Sequence, residues 1–169
     1  MKKLFMISLG GKAPGANIEV HDVQFVVGDS IDTVIPAIRE QWYGIDLKLH
    51  MDSYMEIKGA DGFAITLTEE VNKEDTRLFF AYLGGYKAVH TQEIHDVRLL
   101  VCGSEREAKG LAFKLEGFDF TQTHVDSVVD VEKKLLSDDG KTYYLELTPT
   151  ESTYDLVPDW FGYRRLDQI

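Results

Sequence analysis

Slid against itself by 74 positions, the chain aligns residues 4–30 with 78–104 without a gap, and 11 of those 27 pairs are identical. Self-similarity at one fixed offset constrains the fold before any propensity is weighed, because both copies must form the same unit. The matches include Leu9-Gly10-Gly11 with Leu83-Gly84-Gly85, Glu19 with Glu93, His21-Asp22-Val23 with His95-Asp96-Val97, and Ser30 with Ser104. The same offset pairs His50-x-Asp52-Ser53 with His124-x-Asp126-Ser127. A four-residue insertion in the second copy then lets Asp61-Gly62 meet Asp139-Gly140.

Each copy reads as β-β-α-β-β. The first strand (4–9 and 78–83) is apolar on both parities, as a strand covered on both faces would be, and a Gly-Gly turn follows it. The second (20–28 and 94–102) alternates, with Val23, Phe25 and Val27 matched by Val97, Leu99 and Val101. Ser30 and Ser104 stand where N-caps belong, and Ser104-x-x-Glu107 has the form of a capping box. Ile31, Val34, Ile35, Ile38 and Trp42 follow at helical spacing, as do Ala108, Leu111, Ala112 and Leu115 in the second copy. Pro36 and Gly110 predict short or bent helices. In the third strand Leu47, Leu49, Met51, Met55 and Ile57 share one parity, opposite Lys48, His50, Asp52, Tyr54 and Glu56. Asp61-Gly62 and Asp139-Gly140 are hairpin signals leading into Phe63-Ile65-Leu67 and Tyr143-Leu145-Leu147.

The expected fold class is therefore α+β: internally duplicated β-β-α-β-β units of about 74 residues, related by a pseudo-two-fold, with one helix per repeat. Residues 1–75 form repeat one and 76–150 repeat two. Residues 151–169 form an aromatic tail carrying Leu156, Trp160, Phe161, Tyr163 and Leu166, read as an arm over a sheet edge or onto a second subunit of a homodimer.

Composition excludes several roles. With 29 acidic against 18 basic side chains, the net charge of −11 repels nucleic acid. No stretch approaches the ~20 apolar residues of a membrane span. The start, Met1-Lys2-Lys3-Leu4-Phe5-Met6-Ile7, imitates a secretory signal, but its copy at Leu78-Phe79-Phe80 identifies a strand. One cysteine, Cys102 in an apolar run, fits an inert thiol and a cytoplasmic protein.

Four of the five histidines fall into equivalent pairs, each with a carboxylate two residues away: Glu19-x-His21, Glu93-x-His95, His50-x-Asp52 and His124-x-Asp126. On a strand, residues two apart point the same way, giving imidazole and carboxylate couples suited to a divalent metal, proton transfer or hydrogen-bonded structure. Strand parity argues against joining all four into one site per copy. His21 shares parity with Val23 and Phe25, whereas His50 and Asp52 lie on the polar side of their strand. The consistent clusters are Asp22 with His50 and Asp52, and Asp96 with His124 and Asp126. A bulge at the entry to the second strand would reverse that choice. Beside this stands the structural reading, in which Glu19/His21 and Glu93/His95 merely satisfy loop backbone. His90, which has no copy, reads as a surface residue. Gly10-Gly11-Lys12 matches no phosphate-loop pattern and leads to a strand.

Residues Leu9-Gly10-Gly11-x-Ala13-Pro14-Gly15-Ala16-Asn17-Ile18-Glu19-x-His21-Asp22-Val23 and Leu49-His50-x-Asp52-Ser53-x-Met55-Glu56, with Leu83-Gly84-Gly85 and Glu93-x-His95, carry a resemblance. Over most of residues 4–130 the chain resembles a bacterial family catalogued as domain of unknown function 1543. The resemblance brings no activity, substrate or cofactor with it.

Two functions remain in view. One is a module binding a divalent metal through His50, Asp52, His124 and Asp126, or a small polar molecule, with metal-assisted hydrolysis or proton transfer as its chemistry. The other is a non-catalytic interaction protein acting through a dimer surface and the aromatic tail.

Overall fold

The computed structural model describes residues 1–72, 74–114 and 120–169. In chain order the elements are β1 (Lys3–Lys12), β2 (Val20–Gly28), α1 (Ile31–Gln41), β3 (Ile45–Glu56), β4 (Gly59–Ala60), β5 (Phe63–Thr68), β6 (Arg77–Tyr86) and β7 (Ile94–Cys102). They continue with α2 (Glu105–Ala112), β8 (Thr121–Asp130), a 3-10 turn (Glu132–Lys134), β9 (Leu135–Ser137), β10 (Tyr144–Pro149) and β11 (Trp160–Arg165). The fold is mixed α+β and mostly strands. Its sheets run β11-β3-β1-β2-β9, β7-β6-β8 and β10-β5-β4.

Apolar parity explains the layering. Leu4, Phe25 and Val27 on one sheet meet Leu78, Phe80, Leu99 and Val101 on another, and Ile65 and Leu145 of the small sheet close the same core. Phe25 and Phe80 touch edge to face, 5.5 Å between centroids. On the opposite face of the five-stranded sheet, Ile7, Leu9, Val26, Leu49 and Met51 pack under Val34, Ile35 and Ile38 of α1. Leu83, Leu100 and Cys102 pack under Ala108 and Ala112 of α2. β1 and β6 are thus apolar on both parities because each has a core on both faces. Burial pushes the Cys102 thiol up, as an inert thiol requires.

Both N-caps form. Ser30 Oγ accepts from Thr33 N–H and Ser30 N–H donates to Thr33 Oγ1, a full capping box. Ser104 Oγ accepts from Glu107 N–H, but the Glu107 carboxylate turns back to Gly103 N–H instead. α1 runs 11 residues through Pro36, so that residue does not end it. Leu115, read as part of the second helix, lies outside the described residues.

Three expectations fail. Gly10-Gly11 and Gly84-Gly85 make no turn: they lie inside β1 and β6, and the strands run on past them. Asp61-Gly62 does close a two-residue hairpin, with Ala60 opposite Phe63, but Asp139-Gly140 does not. β9 joins β2 in parallel, whereas β10 pairs with β5. The third strand does not keep one parity. Opposite β1 the register steps from Ser53 to Met51, and opposite β6 from Ser127 to Val125, so Asp52 and Asp126 are the extra residues of β-bulges. Beyond the bulge the parity inverts: Leu49 and Met51 pack toward α1, while Ile57 enters the central core. Leu47 is exposed.

The tail closes onto its own chain. β11 pairs with β3, Arg165 opposite His50, and Leu166 is fully buried with the α1 core. Among the described residues no helix is long and apolar enough to cross a membrane.

Candidate functional site

Gly10 is the centre from which the site is built. His21 on β2 and His50 on β3 are both its cross-strand partners. Directly opposed residues of antiparallel strands share a face, so the two imidazoles stand over the glycine from either side. Gly84 holds the same place between His95 and His124. A Cβ on Gly84 would lie 2.5 Å from Glu93 Oε1 and 2.7 Å from Asp126 Oδ2, so only glycine leaves room for what sits above.

What sits above is a quartet of two imidazoles and two carboxylates. In the first, His21 Nε2 lies 3.1 Å from Glu19 Oε1 and 3.7 Å from Asp52 Oδ2. His50 Nε2 lies 3.4 Å from both Glu19 Oε2 and Asp52 Oδ1. In the second, His95 Nε2 lies 3.4 Å from Glu93 Oε2 and 3.6 Å from Asp126 Oδ2. His124 Nε2 lies 2.8 Å from Glu93 Oε1 and 3.1 Å from Asp126 Oδ1. Each carboxylate thus spans both imidazoles.

This reverses the grouping derived from parity. Glu19 and His21 join His50 and Asp52, as Glu93 and His95 join His124 and Asp126. Asp22 and Asp96 do not. They lie opposite Leu9 and Leu83, whose side chains face the helices. Their carboxylates accept from the next backbone N–H, Val23 at 2.9 Å and Val97 at 2.7 Å, and Asp96 also takes Arg98. Both thus cap backbone outside the quartets, and Asp22 lines the cavity beside His21. The bulge that matters lies in the third strand, not at the entry to the second. His90 is exposed, as expected.

The second ring nitrogen fixes the chemistry of the first. His50 Nδ1 lies 2.8 Å from the Lys48 carbonyl, and His124 Nδ1 lies 3.0 Å from that of Gln122. A carbonyl only accepts, so Nδ1 carries the hydrogen, and in the neutral ring Nε2 turns a lone pair toward the carboxylates. Glu93 Oε1, buried and 2.8 Å from His124 Nε2, has no hydrogen-bond partner among the described residues. Facing acceptors repel unless the ring is protonated or a cation lies between them. Lys48 and Gln122 aim their carbonyls from left-handed backbone, φ 68° and 54°, a conformation uncommon for such residues. Both precede their histidine by two positions, a feature with no sequence signal because lysine and glutamine do not resemble each other.

The Gln122 carbonyl raises the His124 pKa, with Asp126 and Glu93 adding to the effect against desolvation. Burial pushes the Asp52 carboxyl up, while His50 and His21 pull it back. The neighbouring Glu93 carboxylate pushes the Tyr86 hydroxyl up. Among the described residues Glu93, His124 and Asp126 offer three ligand atoms all within 4.8 Å of one another.

The surroundings differ. The His50 side chain is 2% exposed, with the Tyr163 ring of β11 4.2 Å from it, whereas that of His124 is 42% exposed on the outer strand β8. Between the sheets lies a cavity of about 510 Å³ whose wall includes His21, Ser8, Gln24 and Phe25 on one side and Tyr82 and Ser127 on the other. The Tyr82 ring stacks on His95 at 4.6 Å, so the cavity borders the first quartet directly through His21 and reaches the second only through this ring.

Residues 16–67 match the family described as Domain of Unknown Function (DUF1543). Among solved structures the chain is similar to a protein Il1583 from Idiomarina loihiensis, with 37% identity over 98% of this chain and 99% of that one and a TM-score of 0.75. Among curated proteins, none matches.

Proposed function

The chain belongs to the DUF1543 family, and on that footing we propose that it is a divalent-metal-binding protein with one site in each half. Glu19, His21, His50 and Asp52 would hold one ion, and Glu93, His95, His124 and Asp126 the other. The observation that carries this reading is the convergence of Nε2 lone pairs on carboxylate oxygens, twice, over a glycine. The Nδ1–H bonds to backbone carbonyls are the usual outer partners of metal-bound histidine. Two imidazoles with two carboxylates suit zinc, manganese, iron or cobalt better than calcium or magnesium.

We read residues 1–75 and 76–150 as an internal duplication about a pseudo-two-fold axis. The 74-residue offset supports it, because it recurs in the strand pairings, the bulged aspartates and left-handed Lys48 and Gln122. The cavity between the halves gives a small polar molecule a place beside His21. Metal-assisted hydrolysis is the chemistry such a pairing suits. A lone buried thiol fits a cytoplasmic protein.

Metal analysis of freshly purified protein, then melting after chelation and after adding zinc, manganese or cobalt, tests the reading. Bound metal, or a rise in Tm that His50→Ala and His124→Ala each reduce, is expected. No metal and no shift with any of the three would refute it.

One observation favours the second reading, an interaction surface at the tail: Phe161 is 79% exposed on β11, the outer strand of its sheet. Light scattering of Phe161→Ser against the parent tests it, and an unchanged molar mass counts against it.

A further inference from the structure

The two quartets share ligand types and strand positions but not supports, and the C-terminal strand β11 pairs beside the first alone. Asp167 Oδ2 accepts the Lys48 backbone N–H at 2.9 Å. Lys48 is the left-handed residue whose carbonyl orients His50. Arg165 grips Asp167 through Nε at 2.7 Å and Nη2 at 2.5 Å, which holds the carboxyl well below the usual range. Leu166 N–H donates to the Leu49 carbonyl at 2.9 Å, and the Leu166 side chain is fully buried. Tyr163 covers the ring itself. At the second quartet β8 is an outer strand, and among the described residues no carboxylate caps Gln122 N–H.

An uncommon backbone conformation persists only where its surroundings over-determine it. Lys48 is held from the tail, and among the described residues Gln122 has no matching carboxylate. We infer that Asp167 is a positioning residue for His50 and that, through it, the tail makes the first metal site the tighter of two unequal sites. The inference rests on the metal reading above. It makes the first site a retained ion and the second, whose His124 stands 42% exposed on the outer strand β8, the site that exchanges metal or meets a ligand. Partners that orient a metal-binding histidine typically alter affinity by ~10–100-fold, which sets the expected size.

Cobalt titration followed by visible absorption tests it, with each site read alone. His95→Ala/His124→Ala leaves the first site, and His21→Ala/His50→Ala leaves the second. The first is expected to bind at least ~10-fold more tightly. Asp167→Ala should weaken the first site by ~10–100-fold and leave the second unchanged, the second reporting in the same fold that the chain is intact. Adding Lys48→Gly, which adopts left-handed backbone without side-chain strain, should restore part of the loss. Equal affinities in the parent, an Asp167→Ala effect shared by both sites, or no rescue by Lys48→Gly would each overturn the inference while leaving the metal reading intact. Absence of cobalt binding at both sites would overturn the metal reading itself.

Discussion

A Cβ added to Gly10 would lie 2.5 Å from Nε2 of His50. That ring cannot retreat, since its side chain is 2% exposed and its Nδ1 is tied to Lys48. Gly10→Ala should therefore cost about 1–3 kcal/mol by overpacking and abolish metal binding at the first site. At Gly84 the clash falls on the more exposed Glu93 and Asp126 carboxylates. Gly84→Ala should leave the urea midpoint closer to that of the parent while removing metal from the second site. Urea unfolding and metal titration of both variants check this, and full metal binding by either would contradict it.

Leu166 is the one tail side chain wholly inside the α1 core, together with Ile38, Leu49 and Met51. Leu166→Ala should cost about 2–5 kcal/mol, the range for a buried leucine whose cavity does not collapse. If the tail is part of one cooperative unit, the urea midpoint falls with an unchanged m-value. A lower m-value, or loss of β11 amide protection with the midpoint kept, would show the tail opening alone.

The histidines and their carboxylates were legible because their spacing repeats at 74 residues, which no single copy would have revealed. Their grouping was not. Alternation assigns a face only while the ladder is regular, and the bulges at Asp52 and Asp126 are backbone events that leave the residue types unchanged. Repetition also misled at Asp22 and Asp96, where identical residues serve identical backbone caps. The second Asp-Gly looked like the first, yet Asp139 accepts from Lys141 N–H at 3.1 Å and Tyr143 Oη at 2.9 Å within a loop between two different sheets. Asp167 and Tyr163 had no copy to mark them, and only three-dimensional pairing brings them to His50.

Acid should destabilise the protein through the cluster where the N-terminus meets the loop after β9. Asp138 is caught between opposing effects: burial raises its carboxyl, but the Lys2 ammonium, the Thr33 hydroxyl and Asp29 N–H outweigh it and hold it below the usual range. Lys2, which also pairs with Asp29 and Asp139, is held high in turn by Asp138. A depressed carboxyl contributes stability that is present above its unfolded value of about 3.9 and is lost as pH falls through the folded value. The Asp138 contribution, read as the difference in urea midpoint between parent and Asp138→Asn, should be level from neutral pH down to about 5 and be lost below about 4. Asp138→Asn should lie below the parent on that plateau and meet it in acid. Parallel pH profiles for variant and parent would count against the assignment.

The hairpin between β4 and β5 stores a last testable link between the two halves. Asp61 and Gly62 have φ of 50° and 79°, the pair of positive angles that a two-residue turn of this hand requires. Asp61 Oδ2 also accepts the Val101 N–H of β7 at 3.0 Å, so the turn of the first half caps an outer strand of the second. Asparagine tolerates the left-handed angle and keeps an acceptor, whereas alanine does neither. Asp61→Asn should cost no more than about 1 kcal/mol, and Asp61→Ala about 2–3 kcal/mol. Hydrogen exchange should show faster exchange at Val101 in the alanine variant alone. Equal costs for the two substitutions, with Val101 equally protected, would mean that the turn acts only locally and does not tie β7 to the first half.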